Sequence, residues 1–496
     1  MFQLPKSNHE LSAAVKLLIN IGACLDIPTG TYILGLHGES ILHGGLGFLT
    51  GMTGKGNTFK STICDYMTLS AADRIHSAVN TTAIHTYDTE VNIHESRKQA
   101  FSLKFDSYKQ GNIFSDGLWE ITDESIILGD VWWENEKKYL SDKKALGAKI
   151  RVSTPFKDRN GQAMTVILPT FGQLDSLSKF TTSDVAKMVD DNELGASGGN
   201  TVHMRQGLAK MRLLQELPRV CAGYSHFTTV TAHIGKDIPM ATGKYAPPPE
   251  KKLNHLTPGE KIKGVTDQFY YLTSAFWYAV KSAPLVTKDR TPQFPRNSEE
   301  TTQVGDTDLN EVVLKSLRCK NGPSGNTVTL LVSQVEGVLA SLSEFYLLNT
   351  TKESSTHPGF GLNGSTQNYM LDIYPAVKLS RTTVRNKIDT DDKLRRALNI
   401  TAELCQMYEY YRTLRSTLPA PKQLYDTLKD LGYDWDFILS STRGWWTVND
   451  EHHPLKFLST MDLVKMASGE YIPFWMKEPP AKAIELYNSK NAKPWA

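Results

Sequence analysis

The segment Gly51-Met-Thr-Gly-Lys-Gly-Asn-Thr-Phe-Lys-Ser61 constrains this chain more tightly than any other stretch. From Gly54 it reads G-x-x-x-x-F-K-S, a phosphate-binding loop whose usual second glycine is Phe59. Such a loop turns several backbone N–H groups toward a polyphosphate. Its lysine, Lys60, reaches the β- and γ-oxygens, and the next hydroxyl, Ser61, ligates magnesium. A strand must enter the loop and a helix must leave it, because the helix N-terminus adds its dipole to phosphate binding. The position after Thr58 is then the helix start, where a side chain can turn toward the core while its N–H points inward. The expected nucleotide-binding run is Gly54, Lys55, Gly56, Asn57, Thr58, Phe59, Lys60, Ser61 and Thr62, with ATP and Mg2+ as ligands.

The flanks supply that context. Gly47-Phe-Leu-Thr50 reads as the incoming strand, and Ile63, Met67 and Ala71 recur four apart, as one face of the outgoing helix. Thr81 to Tyr87 is a β-branched strand that ends at Asp88-Thr-Glu90. Strand-like and helix-like runs alternate from Thr31 to Leu348, which predicts an α/β core: a twisted, mostly parallel sheet flanked by helices. At 496 residues the chain exceeds what one core usually serves. We expect an N-terminal helical segment (1–30), the core (31–348) with an insertion at 91–165, a polar linker (349–381) and a mainly helical C-terminal domain (382–496). Met204, Leu208, Met211 and Leu214 predict an amphipathic helix leading to the strand Phe227 to Ala232.

Several polar residues fall where nucleotide chemistry needs them. Glu90, at a strand end, can polarise the water that attacks a γ-phosphate; a solvated strand-end acid is the plain alternative. Asp175, before Ser176, can hold magnesium together with Ser61, although Gly172 and Gln173 make its strand unconvincing. His233 closes a β-branched strand and can sense the γ-phosphate. Arg318 and Lys320 alternate on a hairpin strand and can reach a neighbouring subunit's nucleotide. Between Ile234 and Gly264 six lysines face three acids. Lys236, Lys244, Tyr245, Lys251 and Lys252 in that stretch suit a single-stranded nucleic acid: lysines for the backbone, the tyrosine for a base. A net charge of +2 argues against wholesale coating of nucleic acid. Five scattered cysteines without C-x-x-C spacing argue against a zinc site and for a reducing, cytoplasmic setting. The apolar run from Leu11 to Leu25 is too short and polar to span a membrane.

In their order along the chain these motifs resemble the RecA-type recombinases, specifically the tailed-phage, UvsX-like branch. That branch carries the same loop variant, here Gly54 to Ser61. The resemblance covers about Thr31 to Val338 and implies a catalytic Glu90 and a magnesium-strand Asp175-Ser176. It also implies His233 at the end of the following strand, a DNA-binding loop after it, and Arg318 and Lys320 acting across a subunit interface. The implied activity is a DNA-stimulated ATPase assembling as a homo-oligomer on single-stranded DNA. The hairpin Arg318-Cys-Lys-Asn-Gly-Pro-Ser-Gly325 is separately similar to an element of DnaB-type ring helicases, so filament and ring both stay open.

Overall fold

A computed structural model describes residues 17–79, 81–158, 160–191, 199–236, 251, 253–305, 308–352, 360–365, 367–445, 456–491 and 495. Among them, one ten-stranded sheet organises the chain. Its strands are β1 (Leu49–Gly54), β2 (Ile84–Asp88), β3 (Trp119–Asp123), β4 (Thr170–Asp175), β5 (His226–Lys236), β6 (Glu260–Ile262), β7 (Ala275–Pro284), β8 (Leu309–Cys319), β9 (Thr327–Ser333) and β10 (Gly337–Val338). They lie in the order β10-β9-β8-β7-β1-β5-β4-β2-β3, with β6 added antiparallel on β5. From β7 to β3 all neighbours run parallel, and β8, β9 and β10 continue antiparallel. The fold is therefore α/β with a mixed, mostly parallel sheet.

Strand β1 is buried at all six positions, as a central parallel strand covered on both faces must be. The helices that bear on the site are α1 (Lys60–Val79), α2 (Glu95–Ser102), α3 (Gly129–Ala145) and α4 (Gly199–Tyr224). Helix α1 carries the chain from β1 past β5 and β4 to β2. The C-terminal ends of these four strands therefore bound one crevice, where open α/β sheets bind ligands.

Four sequence expectations change. Residues 1–16 of the expected N-terminal helix lie outside the described residues, and of the remainder only Asp26–Thr29 is helical. Gly22, Ala23 and Cys24 adopt φ of 78°, 52° and 65°, and a right-handed helix cannot pass through them. The 91–165 segment is more than an insertion, because it supplies edge strand β3. The Trp119 indole on β3 donates to Thr86 Oγ1 on β2 at 2.8 Å. The hairpin of Arg151–Lys157 with Ala163–Ile167 stands apart from that sheet. In α4 the buried face begins at Lys210 and continues through Leu213 and Leu214, whereas Met204 and Leu208 are 76% and 61% exposed. Finally, the 349–381 stretch contains the end of the helix Ala340–Lys352 and a three-stranded sheet, so it is not simply a linker.

The C-terminal helices Asp392–Tyr410 and Pro421–Asp430 pack into one apolar cluster with Ile27 and Leu42 from near the start of the described chain. Polar contacts close the same seam. Gln406 donates to the Cys24 carbonyl at 2.9 Å, Tyr411 to the Gly30 carbonyl at 2.7 Å, and the Ser40 N–H to Asp462 at 2.7 Å. Among the described residues no helix is long and apolar enough to cross a membrane.

Candidate functional site

Gly54 ends β1, and nothing larger fits there: a Cβ would stand 2.7 Å from the Thr58 hydroxyl and 3.0 Å from the Ala279 carbonyl. The chain then doubles back, with Thr58 Oγ1 donating to the Lys55 carbonyl at 2.8 Å. Asn57 and Phe59 lie in left-handed backbone at φ 58° and 56°, while Thr58 between them does not. Alternation of this kind turns successive N–H groups toward one side, the concavity that binds anions in backbone nests. Helix α1 starts at Lys60, so the unpaired N–H groups of a first helical turn reach the same point. Lys60 is 8% exposed, and its ammonium donates to the Lys55 carbonyl at 2.7 Å. Burial lowers its pKa, against the opposing pull of the Asp175 and Glu90 carboxylates.

Phe59 occupies the conformation that glycine adopts freely and that costs other residues about 1–2 kcal/mol. Its half-buried ring packs against the apolar cluster of α1 and β1, which offsets that strain. Removing the ring loses the packing either way, but only glycine also relieves the backbone. We expect Phe59→Gly to be more stable than Phe59→Ala by about 1 kcal/mol, the reverse of the order in helices and strands. Thermal unfolding of the two variants checks this; a higher midpoint for alanine would contradict the left-handed backbone.

Beside the loop, β2 ends in Asp88. Its Oδ1 accepts the N–H groups of Glu90 (2.8 Å) and Val91 (3.1 Å), and its Oδ2 those of Asn92 (2.7 Å) and Ile93 (2.8 Å). With its acceptor positions taken, Asp88 shapes the turn that presents Glu90. Glu90 Oε1 lies 2.7 Å from His233 Nε2 and accepts from Ser176 Oγ at 2.9 Å. Burial pushes the Glu90 pKa up, but the hydrogen bonds from His233 and Ser176 outweigh it, and the carboxyl stays below its usual range. Glu90 is thus a carboxylate at neutral pH, held by two donors.

Asp175 ends β4 one strand away and accepts from Thr231 Oγ1 at 2.5 Å. The Asp175–Ser176 peptide is cis, and Ser176 N donates to Thr89 Oγ1 at 2.8 Å. The polar residues that made this strand unconvincing have structural work. A Cβ on Gly172 would stand 2.5 Å from His226 Nε2. Gln173 donates to Thr68 Oγ1 at 3.0 Å and accepts from Thr86 Oγ1 at 2.8 Å and Lys98 at 3.4 Å. Lys98 in turn forms a buried ion pair with Asp65, its ammonium 5.0 Å from the centre of the Trp119 ring. Burial raises the Asp65 pKa despite the lowering influence of Lys98. Asp65 and Lys98 escaped the sequence reading. Asp65 had a signal, lying one helical turn beyond Ser61; Lys98 had none.

These groups meet in a cavity of about 810 Å3, lined by residues 56–62 with Asp65, Glu90, Lys98 and His233, and on the far side by Asn310 and Gln334. That size suits a drug- or cofactor-sized ligand. A second cavity of about 540 Å3 shares Thr62 and Phe101 with it. There the charges are engaged with one another, as in Lys104–Glu336 at 3.1 Å, so the first is the better phosphate site. Asp175 does not line the first cavity, although its charge acts on Lys60. The oxygen donors Ser61 and Asp175 fit a small hard cation. No cluster of three or more His, Cys, Asp or Glu among the described residues could hold a metal, so such an ion would take its other ligands from phosphate and water, as Mg2+ does.

The remaining expected residues lie elsewhere. Arg318 pairs with Phe276 of β7, which pairs with Gly51, three residues before the end of β1. Its guanidinium is 5.6 Å from the ring centres of both Tyr270 and Tyr271. Lys320 lies just past β8, its N–H on the Ser274 carbonyl at 3.0 Å. Neither lines the chain's own cavity. Lys236 and Lys251 are exposed, while Lys244, Tyr245 and Lys252 lie outside the described residues. A scan of protein-family models and a search of curated proteins find no match to this chain.

Proposed function

We propose that the chain is a Mg2+-dependent, RecA-type P-loop ATPase that is stimulated by single-stranded DNA and assembles on it, in recombination, repair or replication. The observation that carries the reading is one cavity that joins Lys60 and Ser61, at the start of α1, to a Glu90 carboxylate held by His233. The loop amides and the Lys60 ammonium bind and orient the phosphates. Ser61, with Asp175 through a water, would hold Mg2+, which when bound would supply charge neutralisation at the phosphates. Glu90 orients the attacking water and accepts its proton, because its pKa keeps it ionised. Arg318 and Lys320, away from their own cavity, act on the nucleotide of a neighbouring copy, which makes the assembly the active unit. The hairpin they sit on also supports a second reading, a DnaB-type ring helicase.

Phosphate release with and without single-stranded DNA tests the proposal. Turnover of Mg-ATP is expected, and a several-fold rise with DNA; absence of both turnover and nucleotide-dependent DNA binding would leave only a vestigial site. Strand exchange between homologous DNAs against unwinding of a forked duplex separates the two motor readings.

A further inference from the structure

Residue 55 is joined to the rest of the molecule in two ways at once. Through its main chain, the Lys55 carbonyl accepts from Lys60 Nζ at 2.7 Å and from Thr58 Oγ1 at 2.8 Å. Through its side chain, the Lys55 ammonium lies 3.3 Å from Glu260 Oε1. Glu260 is buried, and its other oxygen, Oε2, accepts from the Tyr278 hydroxyl at 2.8 Å. Tyr278 belongs to β7, beside Thr53 at the end of β1. Glu260 therefore stands between the phosphate loop and the sheet, with each oxygen on a different partner.

What Glu260 carries is the ribbon β5–β6. It pairs with Lys236, and the ladder continues through Lys261 with Gly235 and Ile262 with Ile234. Lys263 N then donates to the His233 carbonyl at 2.7 Å. Lys236, Lys261 and Lys263 are all exposed, which makes the ribbon a cationic surface suited to a nucleic-acid backbone. The same ribbon thus touches the nucleotide site twice: through His233 on Glu90, and through Glu260 on Lys55.

Building on the ATPase function above, we propose that Glu260 is a positioning residue that links phosphate binding at the loop to this cationic ribbon. A polyphosphate that draws the Lys60 ammonium to itself takes it from the Lys55 carbonyl. The Lys55 carbonyl then keeps only its Thr58 bond, and the Lys55 ammonium, attracted to the same phosphates, leaves Glu260. The carboxylate keeps its Tyr278 bond, but β6 loses its tie to the loop. Binding of nucleic acid on the ribbon shifts the same equilibrium from the other side, since linkage is reciprocal. The Lys55 side chain is 62% exposed, so its end of the pair is screened by water and adds little to stability, while the buried Glu260 keeps its Tyr278 bond. Its role is therefore separable from folding.

The test compares the wild type with Glu260→Gln and Glu260→Asp, using ATP and a single-stranded oligo(dT). Glutamine keeps a hydrogen bond to Tyr278 and removes the charge; aspartate keeps the charge. In Glu260→Gln we expect basal kcat and KM for ATP within twofold of wild type, but most of the DNA stimulation lost. The ATP-dependent change in oligo(dT) affinity should fall with it, and Glu260→Asp should recover at least half of both. Hydrogen exchange at residues 234–236 and 260–262 should respond to ATP in wild type and not in Glu260→Gln. If Glu260→Gln is stimulated like wild type, or Glu260→Asp fails alongside it with basal activity also down, the coupling is wrong while the ATPase function stands. If wild type neither binds nor hydrolyses ATP, the function itself fails and the coupling with it.

Discussion

Lys60→Ala is expected to remove ATP turnover, lowering kcat by about 100-fold or more, the loss typical of deleting one preorganised charge stabiliser. Three observations set the size of the effect. The ammonium is nearly buried, so its field on a phosphate is little screened by water. It donates to a neutral carbonyl, that of Lys55, which a phosphate oxygen outcompetes. It also sits at the N-terminus of α1, so its charge acts at the point toward which the loop amides turn. The variant should not melt lower than wild type, because burial already disfavours the Lys60 charge. A fall in turnover without a fall in melting midpoint therefore separates chemistry from damage to the fold. Wild-type turnover in Lys60→Ala would refute the site.

Glu90→Gln should behave differently: turnover falls by about 100-fold or more while ATP affinity stays near wild type, as expected when a general base alone is lost. The substitution is almost isosteric, and the amide oxygen still accepts from Ser176 and His233, so geometry is preserved and only the basic oxygen is gone. The wild-type pH profile supplies an independent check. Glu90 works as a carboxylate, so activity is present above its pKa and lost as pH falls through it. Because that pKa is held below the ordinary 4.5, the acid limb of kcat/KM should lie below 4.5. Single-turnover phosphate release and nucleotide-binding fluorescence make the measurement. Normal hydrolysis in the glutamine variant would remove Glu90 from the role.

What could be read in the sequence was what is local. The strand, loop and helix around Lys60 are contiguous, and their spacing alone fixes which groups gather at the loop. Glu90 and His233 were legible as strand ends, since parallel strands place their C-terminal ends along one crevice. Their direct contact was not legible, because it depends on β5 and β2 being separated only by β4. Strand β4 looked poor because apolar content is a proxy for burial, whereas Gln173 is buried with both its amide oxygen and its amide nitrogen hydrogen-bonded. Met204 and Leu208 misled in the opposite sense: the helical period was right, but among the described residues these two side chains lie largely uncovered. The Lys55–Glu260 pair joins residues two hundred positions apart, and no single-sequence pattern announces such a contact.

The seam between the two ends of the chain has a consequence for how the protein is made. Ile27 and Leu42 are covered by helices that begin near residue 392, and Ser40 is tied to Asp462. A ribosome adding about 5–20 residues per second needs roughly 20–90 s to pass from the first of these partners to the last. Until then the earliest part of the chain lacks its cover. The Gly54–Ser61 loop, which lies between them in sequence, is therefore synthesised well before that seam can close.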